Sequence, residues 1–277
     1  MQHEHTVKSF EDELKTLDRL IAEMGGLAEE QFSTAIEAMI NRDVDTAMAI
    51  KKSDKNIDAL AHEIDTTSIR MLALRQPMGQ DLRSIVVALK TAAVIERIGD
   101  HAKNTAKRTK VLAESPPIGA IKTVERMSLL VQEMISDVLD AYSKRDADKA
   151  ADVRRRDEEV DDLHTSLFRE LLTYMMEDPR NISACTHLMF VTKNIERMGD
   201  HAANIAKNIH EKLGARIDLY SEGVGGSGKF HYLMTFKNWG ELAKFNAKIA
   251  SSKEHQALLA KGGTTAKLVQ SMQGMSL

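Results

Sequence analysis

A thirteen-residue phrase occurs twice in this chain, 100 positions apart. Residues 95–107 read IERIGDHAKNTAK and residues 195–207 read IERMGDHAANIAK, identical at ten of the thirteen positions. A second alignment accompanies it at an offset of 103, pairing Arg42-Asp43 with Arg145-Asp146, Asp54 with Asp157, Asp58 with Asp161 and Leu60 with Leu163. The chain therefore carries two copies of one structural unit, with a small length difference in the turn between the aligned segments. Most of the repeated letters are polar. A helix needs no Glu, Asp, His or Asn to fold, so their recurrence points to a task performed twice.

Helical periodicity runs almost unbroken over 10–213, and the residues that interrupt it divide the chain. Gln76-Pro77-Met78-Gly79, Ser115-Pro116-Pro117-Ile118-Gly119 and Glu177-Asp178-Pro179 each end one helix and start the next. Proline suits the first helical turn and drives the residue before it out of the helical region. Asn41-Arg42-Asp43 and Lys144-Arg145-Asp146 are weaker, turn-forming breaks. The spacing predicts six helices over 9–40, 44–75, 78–113, 119–143, 147–177 and 180–213. Short connections make successive helices antiparallel neighbours, so the expected fold is all-α, two tandem three-helix bundles related by the internal repeat. The Met residues at 71, 127, 134, 175, 176, 189 and 198 fall in or beside apolar stripes and read as core filler, and Cys185 as a small buried hydrophobe.

Beyond Leu213 the composition changes. A glycine-rich run at 223–228 reads as flexible linker, and 229–277 holds the only Trp. Residues 230–236 alternate like a strand and 239–259 read as a helix. The predicted organisation is a first bundle over 1–116, a second over 117–217, a linker over 218–228 and a small C-terminal α+β module over 229–277.

On a helix, successive residues lie about 100° apart. Ile195, Met198, Ala202, Ile205 and Ile209 therefore form one core-facing stripe. Glu196, Asp200 and Asn204 step by four along a line roughly opposite, as do Glu96, Asp100 and Asn104. The acids are expected on an outer face. If the neighbouring helix presents Asp54 with Asp58, or Asp157 with Asp161, each bundle gathers four carboxylates. Carboxylates four apart repel by a few tenths of a kcal/mol, and a held cluster calls for a cation. Oxygen-rich sites suit Mg²⁺, Ca²⁺ or Mn²⁺, and a nearby His brings iron or zinc within reach. His101 and His201, about 100° round the helix, reach only the rim of such a site. The plain alternative is a solvated acidic face paired with Arg97, Arg197, Lys107 or Lys207. Gly99 and Gly199 sit mid-helix inside both acid pairs. Such a glycine costs about 1 kcal/mol against Ala, which implies close approach by a neighbouring helix or a ligand.

Other chemistries find no support. The net charge is −3 with both signs interspersed, and the one basic triplet, Arg154-Arg155-Arg156, reads as a solvated helix face, against nucleic-acid binding. No nucleophile with its base, phosphate loop or Cys-based zinc site is present. The polar, charged start of the chain carries no secretory signal. No apolar stretch approaches the ~20 residues of a membrane-spanning helix, so a cytoplasmic protein is expected. A ferritin-like di-metal enzyme would need four helices with inward Glu-x-x-His pairs; here the spacing is Glu-x-x-x-Asp-His on an outer face. A metal-free helical scaffold accounts for the bundles but not for the repeated polar phrase.

On the motifs E-R-[I/M]-G-D-H in both halves, D-x-x-[I/V]-D upstream in both halves, and R-Q-P-M-G-Q-D-L-R at 75–83, the chain resembles the PhoU family of phosphate-transport regulators over roughly 8–213. The resemblance implies two tandem three-helix bundles, often dimeric, with multinuclear metal sites (Fe, Zn, Mn or Mg) at the acidic motifs. Carried onto this chain, the first site comprises Asp54, Asp58, Glu96 and Asp100, and the second Asp157, Asp161, Glu196 and Asp200. Asn104, Asn204, His101 and His201 are further candidates. The family acts without catalysis. It couples the phosphate-importing ABC transporter, through its ATPase subunit, to a sensor histidine kinase, represses the phosphate-starvation response when phosphate is plentiful, and restrains uptake. The resemblance thus implies a homodimeric regulator that meets the membrane only through its partners. The chain from about Asp218 onward departs from the family pattern.

Overall fold

The computed structural model describes residues 2–212, 216–221 and 230–235, with side chains over 10–209. Seven α-helices carry the first unit: α1 (Gln2–Ile40), α2 (Val44–Arg75), α3 (Gln80–Ala106), α4 (Thr109–Glu114), α5 (Ile121–Lys144), α6 (Ala147–Glu177) and α7 (Ile182–Lys212). A 3₁₀ turn at Pro179–Asn181 leads into α7. Helices α1, α2 and α3 pack on one another, as do α5, α6 and α7. The two bundles join along α3 against α7 and α1 against α5, forming one compact unit over Met1–Leu213.

The repeated Arg-Asp turns explain why each bundle opens in the same way. Arg42 and Arg145 take left-handed φ values of 59° and 57°. The following amides then bond back over the helix end, from Asp43 to the Ala38 carbonyl (2.8 Å) and from Asp146 to the Ala141 carbonyl (2.9 Å). Each Asp next caps the new helix, accepting from the Thr46 or Lys149 amide at 3.0 Å. Such side-chain caps contribute about 1 kcal/mol each. One short motif thus closes a helix, reverses the chain and starts the next helix, in both copies.

The predicted core stripe is buried. Ile195, Met198, Ala202, Ile205 and Ile209 are at most 1 % exposed. Their counterparts Ile95, Ile98 and Ala102 are buried as well, and Phe32 fills the first bundle. Each large apolar side chain removed from water contributes roughly 1.5–3 kcal/mol. Cys185 is buried and free, and Met71, Met127, Met134 and Met198 are core residues. Met176 is not: at 85 % exposure it stands in solvent.

Three expectations need correction. The third predicted helix, 78–113, is two helices. The Arg108 amide bonds to the Thr105 carbonyl three residues back, while the Thr105 hydroxyl donates to the His101 carbonyl at 3.0 Å. No Pro or Gly marks this break, and Thr back-bonds of the same kind at Thr16 and Thr173 leave α1 and α6 continuous. Helices α3 and α5 also begin two residues later than expected, because Gly79 (φ 59°) and the turn at 115–120 take up those positions. Finally, 218–221 is not linker. These residues belong to β1 (Arg216–Ser221), which pairs antiparallel with β2 (Phe230–Thr235) from Arg216↔Thr235 to Ser221↔Phe230. Period-two alternation in Arg-Ile-Asp-Leu carries the strand, and the glycine run begins only after it. The anticipated helix over 239–259 lies outside the described residues.

Candidate functional site

The acidic residues of the first repeat meet along the seam between α2 and α3. Asp54, on α2, is buried, with 5 % of its surface exposed. The amide nitrogen of Gln31, reaching across from α1, donates to Asp54 Oδ1 at 3.1 Å and to the Gly99 carbonyl at 2.9 Å. The Ser53 hydroxyl in turn donates to Gln31 Oε1 at 2.8 Å. Lys103, on α3, closes the other side: its Nζ donates to Asp54 Oδ2 and, at 2.6 Å, to Asp100 Oδ1. Burial alone would lower the Lys103 ammonium, but its hydrogen bonds to Asp100 and Asp54, with their charges, outweigh that and hold it well above the ordinary lysine value.

The remaining first-repeat acids belong to the same neighbourhood. Burial, then the charges of Asp54 and Asp100, pushes the Asp58 carboxyl up, and Lys103 opposes this. Glu96 is likewise raised, by burial and then by Asp58 and Asp100. Gly99 has a packing reason: a Cβ there would stand 2.9 Å from Ile57 Cδ1. Its absence lets α2 and α3 approach closely enough to bring Asp54 within reach of Lys103.

The second repeat builds the same seam between α6 and α7 with different support. Asp157 is pushed up to about 6, by burial and then by the charges of Asp200, Asp161 and Glu196. Asp200 is raised by burial and then by Glu196 and Asp161. A Cβ on Gly199 would lie 3.4 Å from Val160 Cγ1 and 3.5 Å from Asp157 Oδ1, so Asp157 sits across the glycine. Lys193 Nζ donates to Glu196 Oε1 at 2.6 Å, while Glu196 Oε2 is buried with no hydrogen-bond partner among the described residues. At the positions corresponding to Lys103 and Gln31 stand Ala203 and Met134, which donate nothing.

All eight predicted acids are therefore brought together as two quartets, though not on a uniformly open face. Asp54 is buried and the Glu196 side chain is 12 % exposed, whereas Asp58, Asp161 and Asp200 are exposed. Of the additional candidates, Asn104 Oδ1 accepts from Lys107 Nζ at 3.0 Å, and Asn204 is exposed. Among the described residues, no three His, Cys, Asp or Glu side chains converge as a ready-made metal cage. The donor chemistry nevertheless differs between the seams. In the second, the carboxylates raise one another and one Glu196 oxygen has no hydrogen-bond partner among the described residues. In the first, an ammonium already bridges the two helices.

The histidines of the repeated phrase do something else. The His101 and His201 rings stack on each other, with centroids 5.3 Å apart and planes 27° apart. His101 Nδ1 lies 3.2 Å from Asn194 Oδ1, and His201 Nδ1 is buried without a partner among the described residues. Burial lowers both imidazoles. His201, further lowered by the charges of His101, Arg97 and Arg197, falls to about 4. Burial thus favours the neutral form of the pair, and the stack joins α3 to α7. Equivalent residues of two repeats meet when an approximate two-fold axis relates them. Arg108 also stacks over Phe190 between the bundles, 4.5 Å from the ring centroid. Within the described residues, no helix is long and apolar enough to cross a membrane.

Comparison with known proteins places these features. The model of the PhoU domain matches residues 21–109 and 124–209, one match per bundle. A phosphate-specific transport system accessory protein PhoU homolog of Caulobacter vibrioides is 51 % identical over 211 residues, covering 76 % of this chain and 92 % of that protein. The crystal structure of PhoU from Pseudomonas aeruginosa superposes with a TM-score of 0.71 at 38 % identity, covering 74 % of this chain and 98 % of that one. The phosphate transport system regulatory protein PhoU from Streptococcus pneumoniae gives a TM-score of 0.68 at 27 % identity, with coverages of 74 % and 97 %.

Proposed function

The chain belongs to the PhoU family, and on that premise we propose that it is a regulatory accessory protein of a phosphate-specific transport system. It works by protein–protein contact in the cytoplasm, as a negative regulator of the phosphate-starvation response and a restraint on phosphate import. Its partners are the ATPase subunit of the phosphate transporter, a sensor histidine kinase and a second copy of the chain. The observation that carries this reading is that both halves match the family model while their repeated acids gather into one quartet per bundle. The role needs no catalytic centre, and the relatives are named accessory proteins.

A divalent or trivalent cation belongs to the same reading: it would neutralise carboxylates that the fold holds together. In the second seam Asp157, Asp161, Glu196 and Asp200 would hold it. Glu196 has an oxygen with no hydrogen-bond partner among the described residues, and a cation would relieve the repulsion that raises Asp157. Large apolar side chains left exposed on α2 and α6, such as Ile69, Leu74, Phe168 and Leu172, supply surface for partner contact.

The test is genetic. Deleting the protein in its host is expected to raise alkaline phosphatase expression in phosphate-rich medium, and the intact chain to restore repression. Expression that stays repressed after deletion would refute the regulatory role.

A further inference from the structure

We propose that the two acidic seams are functionally unequal: the first is closed by the ammonium of Lys103 and takes no metal ion, while the second, with alanine at the matching position, is the seam that does. This rests on the cation-binding reading above and narrows it to one bundle.

The contrast lies in three positions where the repeats differ. Lys103 Nζ bridges Asp54 of α2 and Asp100 of α3, standing where a metal ion joining those carboxylates would stand. Gln31 occupies the other Asp54 oxygen through its amide nitrogen. Neither an ammonium nor an amide N–H offers a lone pair to a metal, so these groups compete with an ion rather than help to bind it. Only 20 % of the Lys103 side chain and 7 % of the Asp54 side chain are exposed. Charge-assisted hydrogen bonds of this kind are about twice as strong as neutral ones. A metal entering the first seam would have to break two of them and leave Lys103 without partners.

The second repeat changes all three positions. Ala203 replaces Lys103, Met134 replaces Gln31, and Lys193 replaces Ala93. Each seam thus keeps four carboxylates and one lysine, so charge count does not distinguish them. Position does. Lys103 crosses between helices, whereas Lys193 pairs within α7 with Glu196 alone, and its side chain is 45 % exposed. Among the described residues no cation forms an ion pair with Asp157, Asp161 or Asp200, and Glu196 Oε2 keeps no partner. A lysine at the edge can swing into solvent when an ion arrives; a lysine between the helices blocks the ion's place.

The experiment measures metal content of the full chain, stripped with chelator and re-equilibrated with Mn²⁺, by elemental analysis and Mn²⁺ spectroscopy. Asp58→Asn with Glu96→Gln is expected to leave the metal content of the natural sequence unchanged. Glu196→Gln with Asp200→Asn is expected to abolish it. Lys103→Met, which keeps the apolar stem and removes the charge, should raise the content about two-fold by opening the first seam. Ala203→Lys should empty the second, and it keeps the idea testable if Lys103→Met does not fold. If metal falls with the first-seam pair as well, the inequality is overturned while cation binding stands. If neither the natural sequence nor any variant retains Mn²⁺, the cation-binding reading fails and this inference fails with it.

Discussion

Asp157 gives the sharpest test of the idea that the second seam holds uncompensated charge. Its carboxyl titrates at about 6 in the fold against 3.8 ordinarily. A raised acid is penalised in its charged form, so the folded state binds the proton more tightly than the unfolded one. The penalty is absent below the unfolded value, grows between 3.8 and about 6, and is complete above. At roughly 1.4 kcal/mol per pKa unit the shift amounts to about 3 kcal/mol at pH 7.5 and about half that at pH 5. Asp157 is only partly buried, and solvent screening reduces the realised effect to about 1–2 kcal/mol. Asp157→Asn keeps the shape and removes the charge. In chelator-treated protein it is therefore expected to stabilise the fold at pH 7.5, with a gain that halves near pH 5 and disappears toward pH 4. Denaturant titration followed by circular dichroism reads this directly. With Mn²⁺ present the order should reverse, because the natural sequence gains a ligand-linked term that the variant lacks. A variant that is destabilised in the metal-free state, or whose gain does not vary with pH, would refute the argument that unbalanced carboxylates define this seam.

The stacked histidines should act in the opposite sense. His201 is lowered to about 4 in the fold from 6.5, so the unfolded chain takes its proton first and stability falls as pH drops through that window. Replacing both His101 and His201 with Leu in the Asp157→Asn background should flatten this acid slope in denaturant titrations; an unchanged slope would assign it elsewhere. The glycines offer a packing test by thermal denaturation. Gly26→Ala meets nothing within 4 Å and should stabilise α1 by up to about 1 kcal/mol. Gly99→Ala drives a methyl against the end of the Ile57 side chain, so part of the same helix gain should be lost and the variant should be less stabilised than Gly26→Ala. Equal effects at the two sites would show that α2 and α3 are not tightly apposed at Gly99.

The turns between helices were legible because their chemistry is local. An Arg-Asp pair that ends one helix and caps the next is a short-range arrangement, and the prolines act on their immediate neighbours. The break after α3 is not legible, because no Pro or Gly marks it. The β1 strand was obscured by the linker beside it, since glycine content announces flexibility only where the glycines are. The stacking of the histidines is hidden for a different reason. A single helix places them about 100° from the acids, and nothing in that projection says the opposite bundle supplies the facing ring. Their equal positions in the two copies were the available clue, because a symmetry-related contact brings like to like.

The acids show where repetition itself misleads. Ten identical letters of thirteen invite one description for both sites, and the helix projection, which sees only the shared letters, supports it. The side chains that decide the chemistry are among those that differ. Lys103 bridges two helices, Gln31 reaches in from a third, and their counterparts Ala203 and Met134 are silent. On the proposal above, Lys103 gives the first seam a cation of its own where Ala203 leaves the second without one. An ammonium between α2 and α3 would then serve the structural need that an ion would serve between α6 and α7, holding two acidic helix faces together. The difference between the seams would lie in exchangeability, since a tethered charge cannot dissociate. If signalling depends on gain and loss of the ion, the first bundle is held constant and the second is the one free to respond.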